Sequence, residues 1–377
     1  MKKATIVEIY AHHVYVETLA RILLNLDIEV TVACTESIKR NLSQYLKNDG
    51  SDISLITPNK GENDFYFLRR LQATVGSNDT DIVFLNTVQG WAILKFFFFR
   101  PNVVTVVTNG RVSEWFSGSY KLMQHENLHD LVYHIYSNFF LKRIIKRIGN
   151  MIFHTPKAAN FARKNGYKGN VAVLPFSLYT PSKHTKKNKV LRIVVTGGIH
   201  EISRDYLGLL DAISSINDNF YHQFCLVLLA SQQQHSYGVK VRQSINKLLE
   251  KGVRIRFYDD WVSEDEFFKQ TQKADIIISP IKYEQYYSCG ELTSAVVDAI
   301  RQGKPGIYPK GYLPIQRIQS SSVFYNHIAD VKYIVENLIK DQEEISLLKE
   351  NAIINAEYFS VNPASKELAY FLAEVRD

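Results

Sequence analysis

At 377 residues the chain exceeds the length at which one hydrophobic core usually keeps growing, so two domains are expected. Hydrophobic residues make up 46% and charged residues 22%, which excludes a disordered or fibrous chain. The net charge of +7 favours anionic partners (nucleic acid, phosphorylated metabolites or an anionic membrane) without choosing among them.

Three scattered cysteines, Cys34, Cys225 and Cys289, contain no CxxC pair, so neither a disulfide framework nor a zinc site is indicated and a reducing compartment fits. Met1-Lys2-Lys3 leads into an apolar run, Ala4 to Tyr10, that is too short for a signal peptide. The longest apolar stretch, Ala92 to Phe99, is broken by Lys95 and falls far short of the roughly 20 residues that span a bilayer. A cytoplasmic protein is expected, peripheral at most to the inner face of the membrane.

Ala4–Ile9 reads as a buried strand and Tyr15–Leu24 as an amphipathic helix. Between them stand His12 and His13, at the carboxyl end of a strand, where open α/β sheets place ligands. They are either a base or phosphate contact or a pair of exposed loop histidines. Ile28–Ala33, Asp81–Leu85 and the valine-rich Val103–Val107 continue as strands, the last followed by the polar residues Asn109, Arg111 and Glu114.

Over residues 139–148 the cations Lys142, Arg143, Lys146 and Arg147 share one helical side, with Leu141, Ile144, Ile145 and Ile148 on the other. Such a helix suits either an anionic membrane, assisted by Phe96–Phe99, or ordinary packing with a solvated basic face. No nucleic-acid motif accompanies the charge, so nucleic acid is not an expected partner.

A polar, basic, proline-marked stretch, Thr180 to Lys189, separates this array from a second. There Leu191–Thr196, Phe224–Ala230, Arg254–Tyr258, Ile276–Ile278 and Pro305–Tyr308 read as strands, with a helix beginning over Tyr206–Ile213. Strand–helix alternation implies a parallel sheet in each half. The expected division is a domain over 1–178, a linker over 179–190, a second domain over 191–358, and a terminal helix over 359–377 that packs back on the first domain. Asn362 caps that helix in this reading, and Pro363 lies in its first turn.

Chemistry concentrates in the second array. Tyr287 to Gly306 holds a hydroxyl-rich turn that opens a helix, and free N–H groups there suit a phosphate. At 100° per residue Glu291, Ser294 and Asp298 share one face, opposite Val296, Val297 and Ile300, and Gly303 ends the helix. Local physics leaves open whether Ser294 and Asp298 meet a ligand or line a solvated face. Upstream, Ile193 to Tyr206 runs from a strand through Gly197-Gly198 to Arg204, a cation that binds phosphate or stands as a surface arginine beside an ordinary turn. A third segment, Val253 to Glu266, carries Trp261 and Val262, each either a base-pocket wall or core.

In order and spacing, the three segments over 191–308 resemble the donor-binding half of family-four glycosyltransferases. The resemblance implies an α/β fold of GT-B architecture, two facing Rossmann-like domains with a parallel sheet in each. It implies sugar transfer from a UDP- or GDP-linked donor to a glycan or lipid-linked acceptor, with retention of configuration, in cell-surface polysaccharide or glycolipid synthesis. No cofactor or metal enters that scheme.

The pattern Gly290, Ser294, Asp298-Ala299, Gly303-Lys304-Pro305 carries the likeness, with Asp298 in the place of the family's ribose-binding glutamate. The family's first glutamate falls where Gly290 stands, one residue before Glu291, and the histidine at its fourth strand end is replaced by Thr108-Asn109. By resemblance, Gly197, Gly198, Arg204, Gly290, Thr293 and Ser294 hold the donor phosphates. His13 and Glu291 are the catalytic candidates, with His12, Asn109 and Arg111 on the acceptor side. Two other classes fit: a non-catalytic scaffold of the same fold, and a sugar-nucleotide epimerase.

Overall fold

The computed structural model describes residues 2–10, 12–46, 53–77, 80–88, 92–109, 112–116, 128–181, 188–231, 236–282, 287 and 289–375. The chain divides into two compact units, Met1–Phe176 with Val361–Asp377, and Ser177–Ser360.

The first unit runs β1 (Lys3–Glu8), α1 (His13–Leu24), β2 (Glu29–Cys34), α2 (Glu36–Leu46), β3 (Ile53–Ile56), α3 (Asp64–Ser77) and β4 (Ile82–Leu85). It continues through α4 (Ala92–Phe98), β5 (Val104–Asn109), α5 (Val112–Phe116), α6 (Leu128–Arg147), β6 (Asn150–Phe153), α7 (Pro156–Lys164) and β7 (Asn170–Val173). Its seven strands form one parallel sheet in the order β3-β2-β1-β4-β5-β6-β7.

The second unit runs β8 (Leu191–Val195), α8 (Tyr206–Ser214), β9 (Phe224–Ser231), α9 (Ser236–Glu250), β10 (Ile255–Tyr258), α10 (Glu264–Gln272) and β11 (Ile276–Ile278). After these come α11 (Ser294–Gln302), β12 (Gly306–Pro309), β13 (Ser322–Tyr325), α12 (Val331–Lys340) and α13 (Gln342–Glu357). Its parallel sheet has the order β10-β9-β8-β11-β12-β13. The last helix, α14 (Val361–Glu374), belongs to the first unit. Its Ser365 hydroxyl bonds the Ile22 carbonyl and receives the Asn25 amide at the end of α1.

The continuous apolar runs follow from burial of both faces of the sheet. Ile193, Val195, Leu226, Leu228, Ile276 and Ile278 face one apolar layer, packed by α8, α9 and α12. The intervening Val194, Val227, Leu229 and Ile277 face another, filled by Val262, Ala295 and Ala299. Each fully buried aliphatic side chain contributes about 1.5–3 kcal/mol, so period-2 alternation is replaced by unbroken Ile-Val-Leu.

Strand positions agree with the sequence reading to within two residues for the strands it named. It missed β3, β6, β7 and β13, each four residues long. β3, β7 and β13 each bury at most one side chain, so no continuous apolar run announces them. The terminal helix begins at Val361, so Asn362 lies inside its first turn instead of capping it.

Of the two readings of the 139–148 segment, packing describes its apolar side. Leu141, Ile144 and Ile148 are buried in the unit's core, so the apolar side of α6 packs inward and is not free to enter a membrane. Lys142, Arg143, Lys146 and Arg147 are exposed. Among the described residues, no helix is long and apolar enough to cross a membrane.

Candidate functional site

In the second unit, chain connections leave β8 toward β9 in one direction and β11 toward β12 in the other, so their carboxyl ends mark a topological switch point. Open α/β sheets bind ligands in the crevice at such points. β8 leads there into Thr196 and Gly197, and β11 into Ser279 and Pro280.

Gly197 has φ 96°, a left-handed conformation that glycine adopts without strain, and a Cβ there would run into the guanidinium of Arg204. The chain then returns so that Arg204 bridges Ile281 antiparallel, while Lys282 N donates to the Ser203 carbonyl at 3.0 Å and Asp205 N to the Pro280 carbonyl at 2.6 Å. This zipper places Arg204 against the carboxyl end of β11, and Asp205 then caps α8 through the Gly208 N–H at 3.0 Å.

Arg204 is 6% exposed. Its Nη1 donates to the Ser279 hydroxyl at 3.1 Å and its Nη2 to the Ser294 hydroxyl at 3.2 Å. Both partners are neutral. A guanidinium carries five donors and keeps its charge, so the site holds a cation with spare donors and no paired carboxylate among its hydrogen bonds.

Ser294 opens α11, and the preceding turn is held from below. Tyr312, fully buried, donates to the Glu291 carbonyl at 3.1 Å and accepts from the Thr293 N–H at 2.9 Å. The Thr293 hydroxyl accepts from Val296 N at 3.4 Å, so its hydroxyl and its N–H are both committed to shaping the helix start. Gly290, φ 93°, begins this turn, and the Glu291 residue is buried. Gly303, φ 58°, ends α11 in the left-handed cap that the sequence indicated.

Asp298 lies one turn into α11, with its Oδ2 buried and without a hydrogen-bond partner. The hydroxyl of fully buried Thr196 faces this carboxyl too loosely for a well-formed hydrogen bond, yet still favours its charged form. Burial pushes the Asp298 carboxyl up to about 7, against the pull of Thr196, Arg301 and Arg204 and with the push of Glu264.

Gly197, Arg204, Ser294 and Asp298 are thus brought together. Gly290, Glu291 and Thr293 form the turn that aims the α11 N-terminus. A Cβ on Gly198 would meet the His200 ring, with Nε2 2.8 Å away. Sequence reasoning missed Ser279, Thr196 and His200, since only folding reveals what Arg204 touches. Of the two base-pocket candidates, Val262 is core, whereas Trp261 is 80% exposed on the loop after β10 and is not core. A separate cavity of about 210 Å³, lined by Leu191, His222, Asp275 and Lys349 among others, lies at the amino ends of β8 and β11, away from this site.

In the first unit the switch point falls between β1 and β4. A buried polar cluster occupies it. Glu8, fully buried at the end of β1, accepts from Asn86 Nδ2 at 2.7 Å, from the Thr87 hydroxyl and from Tyr10 N at 2.7 Å. Asn86 in turn accepts from the Thr108 hydroxyl at 2.6 Å.

His12, left-handed at φ 68°, precedes α1 and meets Phe176 edge-on at 5.6 Å, and His13 is the first residue of α1. Asn109 ends β5, and Arg111 lies outside the described residues. Burial pushes His154 down to about 4, so this histidine, unremarked in the sequence, stays neutral against Tyr15 and Phe176. Among the described residues, no three of His, Cys, Asp and Glu come together as a metal-holding group.

Gly197→Ala is expected to lower stability by about 1–2 kcal/mol through left-handed strain and to displace the guanidinium from its two serines. Chemical denaturation and nucleotide titration of the variant check this, and unchanged values of both would refute it.

No family model and no curated protein sequence matches the chain. Solved structures do. Sucrose-phosphate synthase from Thermosynechococcus elongatus superposes with a TM-score of 0.68 at 13% identity, covering 100% of this chain and 99% of that one. HepE of Anabaena, solved in complex with UDP and glucose, gives 0.69 at 14% identity over 99% and 100%. MnaA of S. aureus, solved with UDP, gives 0.59 at 15% identity over 100% and 98%. Likeness at this identity shows the fold, and the chain has the GT-B architecture of two Rossmann-like α/β units, each built on a parallel sheet.

Proposed function

We propose that the chain is a glycosyltransferase that takes a hexose from a nucleotide-linked donor bound by its second unit. The observation that carries this is Arg204, a buried cation whose side-chain hydrogen bonds among the described residues go only to the neutral hydroxyls of Ser279 and Ser294, at a switch point. A diphosphate fits the unused donors, the glycine at 197 lets it approach the backbone, and the α11 N-terminus faces the same anion. Negative charge develops on the departing diphosphate, and a preorganised guanidinium stabilises it more in the transition state than in the ground state.

In this reading Gly197, Gly198, Arg204, Gly290 and Ser294 hold the phosphates, Thr293 fixes the helix start, and Asp298 takes the ribose. Trp261 offers an exposed face to the base. Glu291 and His13 are the catalytic candidates, with His12, Asn109 and Arg111 on the acceptor side. Of UDP and GDP, UDP is favoured because HepE and MnaA are solved with it. Retention, independence of metal, and a glycan or lipid-linked acceptor in cell-surface polysaccharide or glycolipid synthesis complete the proposal.

Titration calorimetry with UDP, GDP and UDP-glucose tests it, together with thermal denaturation, since ligand at 100 times its Kd adds about 2.7 kcal/mol. Binding of UDP is expected. Absence of binding to every nucleoside diphosphate would sink the donor site and favour a scaffold. Conversion of the sugar nucleotide without any acceptor would favour the epimerase.

A further inference from the structure

We propose that the face of the first unit carrying Phe65 and Tyr66 of α3, Phe98 of α4 and Phe139 of α6 is a docking surface for an anionic lipid bilayer. The aromatic residues come from three separate helices, and only the fold unites them. Their exposures are 42% for Phe65, 59% for Tyr66, 52% for Phe98 and 49% for Phe139.

The rings form an unbroken chain. Centroids are 6.0 Å apart from Tyr66 to Phe65, 6.1 Å from Phe65 to Phe98 and 5.3 Å from Phe98 to Phe97. The chain goes on at 4.9 Å from Phe97 to Phe140 and 5.1 Å from Phe140 to Phe139. Isolated exposed apolar side chains are ordinary, but a contiguous aromatic ridge marks an interaction site.

The charges of this face that lack an ion-pair partner among the described residues are positive. Arg143 lies over Phe139 at 3.4 Å, and Arg100 over Phe97 at 5.3 Å. Arg147 donates to the carbonyls of Phe96, Phe97 and Phe99 at 3.2, 2.8 and 3.3 Å, which fixes α6 to the end of α4. Its guanidinium is pushed below its usual value by burial and by neighbouring Arg100. Lys142 and Lys146 extend the same exposed side.

The acids nearby are already matched: Asp64 pairs with Lys95, and Glu62 with Arg70. No carboxylate of the described residues pairs with Arg100, Lys142, Arg143, Lys146 or Arg147.

Rings that alternate with unmatched cations suit a bilayer interface, where aromatics sit at headgroup depth and cations meet lipid phosphates. Two copies of this face would set five unmatched cations against five, so charge argues against self-association. The inward packing of Leu141, Ile144 and Ile148 means that the ridge docks on the membrane while α6 stays in the fold. None of these residues belongs to the donor site, so the inference stands or falls apart from the proposed activity.

Flotation of the full chain with phosphatidylcholine vesicles, containing or lacking phosphatidylglycerol and without nucleotide, tests it. Flotation only with phosphatidylglycerol, reversed at about 1 M salt where screening acts over roughly 3 Å, is expected. Lys142→Glu with Lys146→Glu should weaken binding at least about 30-fold, since each surface cation contributes about fivefold. Phe98→Ser with Phe139→Ser should weaken it by about tenfold or more. Lys240→Glu with Lys247→Glu, exposed on α9 of the second unit, should change the net charge equally and leave binding intact.

Lack of flotation with anionic vesicles would overturn the proposal, as would equal losses in the α9 variant. A dimer abolished by the phenylalanine substitutions, without vesicle binding, would make the ridge a self-association face and overturn it too.

Discussion

Arg204→Ala should leave the fold standing and reduce affinity for UDP by about 100-fold or more. The two outcomes separate because of what the guanidinium touches. Its hydrogen bonds among the described residues go to two serine hydroxyls, so truncation removes a buried cation without breaking a hydrogen-bonded ion pair. Breaking a buried ion pair typically costs about 3–5 kcal/mol by leaving its partner uncompensated, and that penalty does not arise here. A bidentate, charge-assisted contact with phosphate is lost, and such contacts are about twice as strong as neutral hydrogen bonds. Arg204→Lys should fall between the two, because it keeps the charge but loses the planar fork. Calorimetry and a denaturant melt on the same preparations read both quantities. An alanine variant that binds UDP as the parent does would remove Arg204 from the donor site.

Asp298→Asn should move stability and binding in opposite directions. Its carboxyl is pushed up to about 7 in the folded protein, against about 3.9 in an unfolded chain. Between these values the folded state holds the proton more tightly, so stability falls as pH rises from about 4 to about 7 and is level above that. Asparagine cannot ionise, so that slope disappears. The variant should gain on the parent by a few kcal/mol between about pH 4 and pH 8. If Asp298 takes the ribose, the same change weakens UDP by about tenfold through a lost charged acceptor. Denaturation midpoints at the two pH values, with a UDP titration at the higher, decide the matter. A variant with the parent's pH slope would show that the carboxyl is not held in its neutral form.

The two substitutions report on different layers of one site. Arg204 is a charge aimed at a ligand, and Asp298 is a group whose burial precedes any ligand. A fold that buries a carboxyl oxygen beside a Thr196 hydroxyl that meets it only loosely keeps polar capacity in reserve. Ribose hydroxyls are the complement expected of a nucleotide bound at this switch point.

Much of the second unit was legible in the amino-acid order, because its signals are local. Ile193 to Val195 and Ile276 to Ile278 are unbroken apolar runs, and only a strand covered on both faces needs them. Gly303 marks the end of α11 because that backbone turn is left-handed, a property of the residue itself. The four-residue strands β3, β7 and β13 escaped because most of their side chains are only partly buried, which leaves no continuous apolar run to read. The basic helix was legible as amphipathic, but a helical period cannot say whether its apolar side faces a core or a lipid. Packing settled that in favour of the core for Leu141, Ile144 and Ile148.

The amino-acid order alone therefore determined the two parallel α/β arrays and the segments around Gly197, Arg204 and Gly290 to Asp298, through periodicity and turn chemistry. Tertiary structure decided what those segments meet. Arg204 finds Ser279 and Ser294 across separations of 75 and 90 residues, and Glu8 finds Asn86 across 78. Phe65 reaches Phe98 and Phe97 reaches Phe140 only when three helices pack side by side. Hydrogen bonds, ring contacts and burial act over a few ångströms, and parallel sheets join strands that lie far apart in the chain.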